Sequence, residues 1–376
     1  DERAFGKVAL RQTTRRLLSE RPTGSELLQL NRLLLCDAYP LELASRLFLV
    51  PVPIERRTEM VVEGLQPPGG TAIRMVARVR LRSLWPNLVR TNQTPQEGLS
   101  GPLVYGHRGE VSQFNGKTVE GSIALLDFNS GGDWFNTLLL GAKAVIFIAP
   151  ETTIRGEAEQ KFLTTPINIP RFWIDRESAE VLKSQLEAGR DLNVTLHCDM
   201  QWEMKEAVNI VGRIRGTYNK QVEGTDRTFS EEFAVVHSVY DSMSVVPSLA
   251  PGAEQSCGLA ALFQTIKAFK AAPPRRSVLF LASGAHCLGL EGVRHFIDQY
   301  MDAPTDAPED LDRKQKERER FRLFATLDLT SQTENAGIFY KGHFVDQNEA
   351  AIQWQFSDIG KRSRETNWSS TSRHME

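Results

Sequence analysis

The sequence predicts an α/β fold whose carboxyl-terminal half is a mostly parallel, helix-covered sheet. Three observations carry this reading. Segments such as "SVLFLA" (277–282) are apolar on both faces, as expected of strands covered on both sides. Such segments alternate with amphipathic helical stretches across residues 206–335. The length, 376 residues, exceeds what one core usually serves, so two or three units are expected.

Residues 1–45 read as helical. In "SELLQLNRLLLCDAYPLELAS", Leu27, Leu30 and Leu34 share a face, Tyr39 sits one residue off register, and Ser25 is placed to cap the start. The arginines at 3, 11, 15, 16 and 21 are interleaved with Glu and Asp and have no aromatic company. That marks a solvated face rather than a nucleic-acid patch. From 47 to about 90 the pattern turns to β: "FLVPVPIE", a P-P-G-G turn, then "AIRMVARVRLRSLW". There Ile73, Met75, Ala77, Val79 and Leu81 alternate with Arg74, Arg78, Arg80 and Arg82, the period of a half-exposed strand.

The next stretch runs strand, turn, strand "IALLDF", a helix through Asn136–Leu140, and the buried strand "AKAVIFIA"; "PINIPRFWIDRESAEVLKSQLEAG" adds a short strand and an amphipathic helix. Residues 206–300 then alternate: strand "AVNIVGRIRG", strand "EEFAVVHSVYD", helix "CGLAALFQTIKAFKA", strand "RRSVLFLASG", helix "LEGVRHFIDQYM". The charged stretch 302–320 reads as an exposed loop and helix start, before strand "RLFATLDLT". The division follows: 1–45 a helical segment, 46–203 a β lead-in and small αβ domain, 204–376 the larger α/β domain.

A formal net charge of −2 gives no global attraction to nucleic acid or anionic membrane. Cys36, Cys198, Cys257 and Cys287 have no C-x-x-C spacing and are too few for a disulfide framework. No run approaches the roughly 18 apolar residues of a spanning helix, and no signal-peptide layout opens the chain. The first residue is Asp1 and the tail reads "NWSSTSRHME", so the chain is expected to be a processed or excised piece of something longer, with any membrane tether outside it.

In sheets of this kind, functional groups gather at the carboxyl ends of strands. Those ends carry Asp241, then His286 and Cys287, then Asp328, while the turn "APGAEQSCG" places Glu254 at the start of the intervening helix. Histidine, cysteine and carboxylates converging from separate strands make a candidate metal or acid/base site.

Two resemblances follow from these words. Residues of roughly 98–200 resemble a protease-associated domain, matching in order its G-x-I-x-L-L, helix, G-A-K-A-V-I-x-I and I-P-x-x-x-I pattern. Residues of roughly 85–335 resemble the co-catalytic di-zinc aminopeptidases and their relatives, glutamate carboxypeptidase and the transferrin receptor ectodomain, through "NIVGRIRG", "YDS", "APGA" and "RRSVLFLASGAHCLGLEG". The family reads H-x-D-S, A-P-G-A-D-D-N-x-S-G, E-E-x-G-L-x-G and L-D-x at the corresponding places.

On that resemblance, the ligand set is largely substituted. Val239 stands where an imidazole ligand belongs, and Asp241 keeps the place of the carboxylate that orients it. Glu254 is nearest the bridging Asp, in a turn one residue short. His286 takes the general-base position, Cys287 replaces a carboxylate ligand, and Asp328 is unchanged. The family also takes a final His from near its carboxyl-terminal strand, whereas about 48 residues follow Asp328, so the domain is expected to be incomplete.

The expectation is therefore a catalytically silent binding or scaffold module, without a cofactor, that takes a peptide or protein in the former cleft. The alternative is a metallopeptidase with one zinc ion held by Glu254, Cys287 and Asp328. A Cys–His hydrolase using Cys287 or Cys257 is disfavoured, because adjacent residues rarely aim at each other. His237, two residues before Val239, lies too far back along its strand and is expected to be core. The resemblance also implies an extracytoplasmic location.

Overall fold

The computed structural model describes residues 42–66, 75–250, 253–301 and 316–329. Its organising element is a long antiparallel ribbon. Strand β1 (Glu42–Leu65) pairs with β8 (Asn193–Ile214) from Glu42 opposite Arg213 to Glu63 opposite Asn193. A register break between Glu55 and Arg57 bends it midway. Strand β2 (Met75–Arg80) adds to the Glu59–Leu65 end of β1, and its alternating exposure confirms the half-exposed strand predicted there.

Each half of β8 organises its own unit. The amino half pairs antiparallel with β4 (Leu99–Tyr105). The sheet continues in parallel through β5 (Ile123–Asp127), β6 (Ala144–Ile148) and β7 (Arg171–Ile174), closed by the short β3 (Arg82–Ser83). Helix α1 (Arg176–Glu187) starts on an Asp175 side chain that accepts the Ser178 N–H at 2.8 Å, and it buries Ala179 and Leu182 on the core.

The carboxyl half of β8 pairs antiparallel with β10 (Ser277–Ser283), which pairs parallel with β9 (Phe233–Val239); β9 pairs parallel with β11 (Phe321–Thr326). The sheet is thus mixed: parallel through β9–β11, as the apolar runs predicted, and antiparallel where β8 and β1 join. Helix α2 (Ala253–Ala271) sets Leu259, Leu262, Phe263 and Ile266 on one face, against Val208, Ile210, Val278 and Phe280. Helix α3 (Glu291–Tyr300) sets Phe296 on the other face, against Val211, Val235, Leu279 and Leu281. Burying each such side chain stabilises the unit by about 1.5–3 kcal/mol. A Cβ on Gly258 would collide with the Leu327 carbonyl and stand 2.7 Å from Ser238 Oγ, so glycine is what lets α2 lie this close.

Two expectations need adjusting. The helix read over 1–45 lies outside the described residues up to 41, and its last residues, Glu42–Ser45, instead open β1, drawn into extended geometry by pairing with β8. The division between 203 and 204 falls inside β8, which runs unbroken from one unit into the other.

The two units also touch beyond the ribbon. Val245 and Val246, in the segment after β9, are buried with Leu84, Phe114, Phe128 and Trp134 of the smaller unit. The Trp85 N–H donates to the Val245 carbonyl at 2.6 Å, and Arg82 Nη1 donates to Ser248 Oγ at 3.2 Å.

Candidate functional site at the carboxyl ends of β9, β10 and β11

Register brings the strand ends together, since Val239 pairs with Ser283 and Thr326 with His237. Behind them His237 bridges all three strands. Its Nε2 lies 2.7 Å from Ser283 Oγ and its Nδ1 lies 3.1 Å from Thr326 Oγ1. Burial, with a smaller contribution from His286, pushes this imidazole down to about 4, so it is neutral near pH 7. His237 is a core strut, as expected from its place in the strand.

Tyr240 closes the gap between β9 and β8. Its hydroxyl donates to the Val208 carbonyl at 2.5 Å and its N–H donates to the Ser283 carbonyl at 3.1 Å. Burial pushes the phenol up to about 12. A Cβ on Gly284 would stand 2.8 Å from this hydroxyl, which accounts for glycine there.

Asp241 holds the turn that follows β10. Its Oδ2 accepts the His286 N–H at 3.3 Å. Burial raises the carboxyl pKa, while the N–H groups of Asp241, His286 and Ala285 act to lower it. The turn is tight: Ala285 and Leu290 adopt φ of 56° and 60°, left-handed geometry uncommon outside glycine. The Ala285 carbonyl accepts from Leu288 and Glu291, and Ala285 itself is buried against Phe48 and Val50 of β1.

The other candidates are less engaged. His286 is half-buried. Its Nδ1 and Asp241 Oδ1 are buried without a hydrogen-bond partner. Cys287 is exposed, yet partial shelter of its thiol and the nearby Asp241 carboxylate push its pKa up, away from the thiolate that would bind metal or act as nucleophile. Arg155 of the smaller unit acts on the same thiol in the opposite direction. Asp328 is exposed, Val239 is half-buried, and Cys257 is half-buried on α2. Glu254 lies at the start of α2, its side chain outside the described ones.

A zinc pair does not fit the donors described here. Val239 offers no lone pair, Asp241 spends Oδ2 on the His286 N–H, and the Cys287 thiol is disposed to stay protonated. Among the described residues, no three His, Cys, Asp or Glu side chains form a metal-holding group. The sequence reading had missed Tyr240, Ser283 and Thr326 as the groups that organise the strand ends. Their signal was faint: hydroxyl side chains in otherwise apolar strand ends. An open depression of about 690 Å³ lies elsewhere, on the smaller unit by Asp127 and Ile148. Its ionic groups are already matched, Arg176 with Glu151 at 3.0 Å and Lys183 with Glu180 at 3.3 Å.

The helix-covered mixed sheet, with polar side chains at the carboxyl ends of its parallel strands, has the α/β fold seen in solved zinc aminopeptidases. Residues 209–374 match the model of peptidase family M28. Among solved structures, BSAP, a zinc aminopeptidase from Bacillus subtilis, superposes with a TM-score of 0.56 at 17% identity, covering 98% of this chain and 84% of that one. The peptidase M28 precursor from Shewanella amazonensis SB2B gives 0.55 at 14% identity, covering 99% and 84%. Two curated relatives are similar in sequence. Nicalin from Caenorhabditis elegans is 28% identical over 156 residues, 39% of this chain and 26% of that protein. Aminopeptidase YwaD from Bacillus subtilis strain 168 is 29% identical over 218 residues, 54% and 41%. The chain thus spans less than half the length of the curated relatives it matches.

Proposed function

We propose that this chain is a catalytically silent relative of the zinc aminopeptidases, a binding or scaffold module that receives a peptide or protein ligand in the former cleft. The observation that carries the reading is the state of Asp241: where the resemblance implies a carboxylate orienting an imidazole ligand, it holds the backbone of the 285–290 turn beside a valine. Two-metal hydrolysis needs both ions held a few Å apart, a bound water of lowered pKa and a base to deprotonate it. Val239, His286 and Cys287 alter each of those requirements.

In this reading the smaller unit is a protease-associated domain that walls the cleft, supported by the contacts of Val245 and Val246 with its core. The location is extracytoplasmic; among the described residues, no helix is long and apolar enough to cross a membrane. One observation favours a second reading, a metallopeptidase with a single zinc. Asp241 Oδ1 and His286 Nδ1 are buried side chain atoms without partners, as ligand-facing atoms would be. Zinc would then be held with Glu254, Cys287 and Asp328. Metal content after zinc loading and desalting separates the two. Substoichiometric zinc, unchanged by His286→Ala, supports the silent module; stoichiometric zinc lost in that variant replaces it with the second reading.

A further inference from the structure

The sheet where β1 meets β8 is covered unequally on its two faces. On the α3 side, Phe48 and Val50 of β1 are buried with Ala285 beside Leu288, and Phe48 stacks on His295 with ring centroids 4.6 Å apart. On the α2 side, Val208 and Ile210 of β8 lie under α2, but their β1 neighbours are bare. Leu47, opposite Val208, is 67% exposed, and Leu49, two residues on, is 58% exposed. Met204, opposite Pro51, is 58% exposed, and Trp202 extends the row at 36%. Isolated exposed apolar side chains are ordinary. A continuous row of them is not, on a sheet whose reverse side is packed and whose next strand on the same face lies beneath a helix.

We propose that residues 25–41 of this same chain cover this strip. Connectivity is the first argument: Glu42 opens β1, so the segment ending at 41 is delivered to the strip, with Leu47 only a few positions further on. Reach is the second. Residues 25–37 at helical rise span about 20 Å, and β1 from Glu42 to Leu49 spans about 25 Å; residues 38–41 between them match the usual length of a helix-to-strand connection. Chemistry is the third: Leu27, Leu30 and Leu34 recur at helical spacing and supply an apolar stripe for an apolar strip. The cover would lie beside α2 and complete the helix layer on that face. The inference stands whether or not the cleft is silent.

The test uses the full chain carrying Leu30→Cys and Leu49→Cys, treated with a short bis-maleimide, digested and mapped by mass spectrometry. The expected product is a link between the peptides containing positions 30 and 49 within one chain. That link should be absent from a Leu30→Cys, Arg78→Cys control, in which the second thiol sits on β2, opposite Val61 at the far end of β1. Failure to form the 30–49 link, equal linking in the control, or linking only between two chains overturns the proposal; the last would make a second copy the cover. A thermal double-mutant cycle gives an independent readout. Leu30→Asp and Leu47→Asp should each lower the melting temperature, and the double variant should fall little below the worse single. Fully additive shifts contradict contact between the two residues.

Discussion

The bodies of β9 and β10 and the carboxyl ends of β9, β10 and β11, a few residues apart, obey different rules. In the body of β10 every residue from Ser277 to Ser283 is buried, and the apolar side chains pack on α2 or α3. At the ends, Cys287 and Asp328 are exposed, Ala285 takes left-handed geometry, and Asp241 and His286 each keep a buried polar atom without a partner. The body is specified by packing, where one lost methylene is felt throughout the core. The ends are held mainly through backbone contacts, so their side chains can differ from the family pattern while the fold persists. Family and chemistry are therefore separate questions for this chain.

The largest effect that tests this contrast belongs in the body. Leu281→Ala should cost about 2–5 kcal/mol in denaturant unfolding, because Leu281 is fully buried. A loss well under 1 kcal/mol would mean that the body is no more constrained than the ends.

Acid stability sharpens the comparison at the boundary between the two regions. His237 has its pKa lowered from 6.5 to about 4, so the unfolded chain binds its proton first as pH falls. The stability tied to neutral His237 is fully present above about pH 6.5 and is lost as pH drops toward 4, by about 3 kcal/mol. Nearby Asp241 works in the opposite sense: its raised pKa makes the folded chain take up a proton earlier, which offsets part of the loss at the acid end. Urea midpoints between pH 7 and 4 should fall in the parent chain and flatten in His237→Gln. An unchanged slope in the variant would refute the neutral-strut assignment.

Tyr240→Phe comes next. Losing the bond to the Val208 carbonyl should cost about 1 kcal/mol, read as a shift in unfolding midpoint without a change in slope. The smallest effect is expected for His286→Ala. This side chain is half-buried and makes no hydrogen bond through Nδ1, so stability should move by no more than about 0.5 kcal/mol. A much larger loss would show that the end of β10 is built around His286 after all.

The body was the legible part of this sequence. Apolar runs announced β9 and β10, helical spacing announced α2 and α3, and the motif words pointed to the strand ends. What escaped was the β1–β8 ribbon, in which partners such as Glu63 and Asn193 lie far apart in sequence. Long-range pairing leaves no local period, and the prolines at 51 and 53 argued against a continuous strand. Half of the signal was present: Val194, Leu196, Cys198 and Met200 alternate inward along β8. The site was legible as a set of positions, but the partners of each side chain depend on turn geometry. That Asp241 would grip the His286 N–H could not be read from residue types alone.

The most direct test of the silent cleft is hydrolysis of aminoacyl and short peptide substrates by the purified chain, with and without added zinc, with chelator, and in the His286→Ala variant. The proposed reading predicts no turnover above background under any of these conditions. It also predicts none on restoring an imidazole with Val239→His, because the missing groups act as one unit. Zinc-dependent, chelator-sensitive cleavage that disappears in His286→Ala would contradict it.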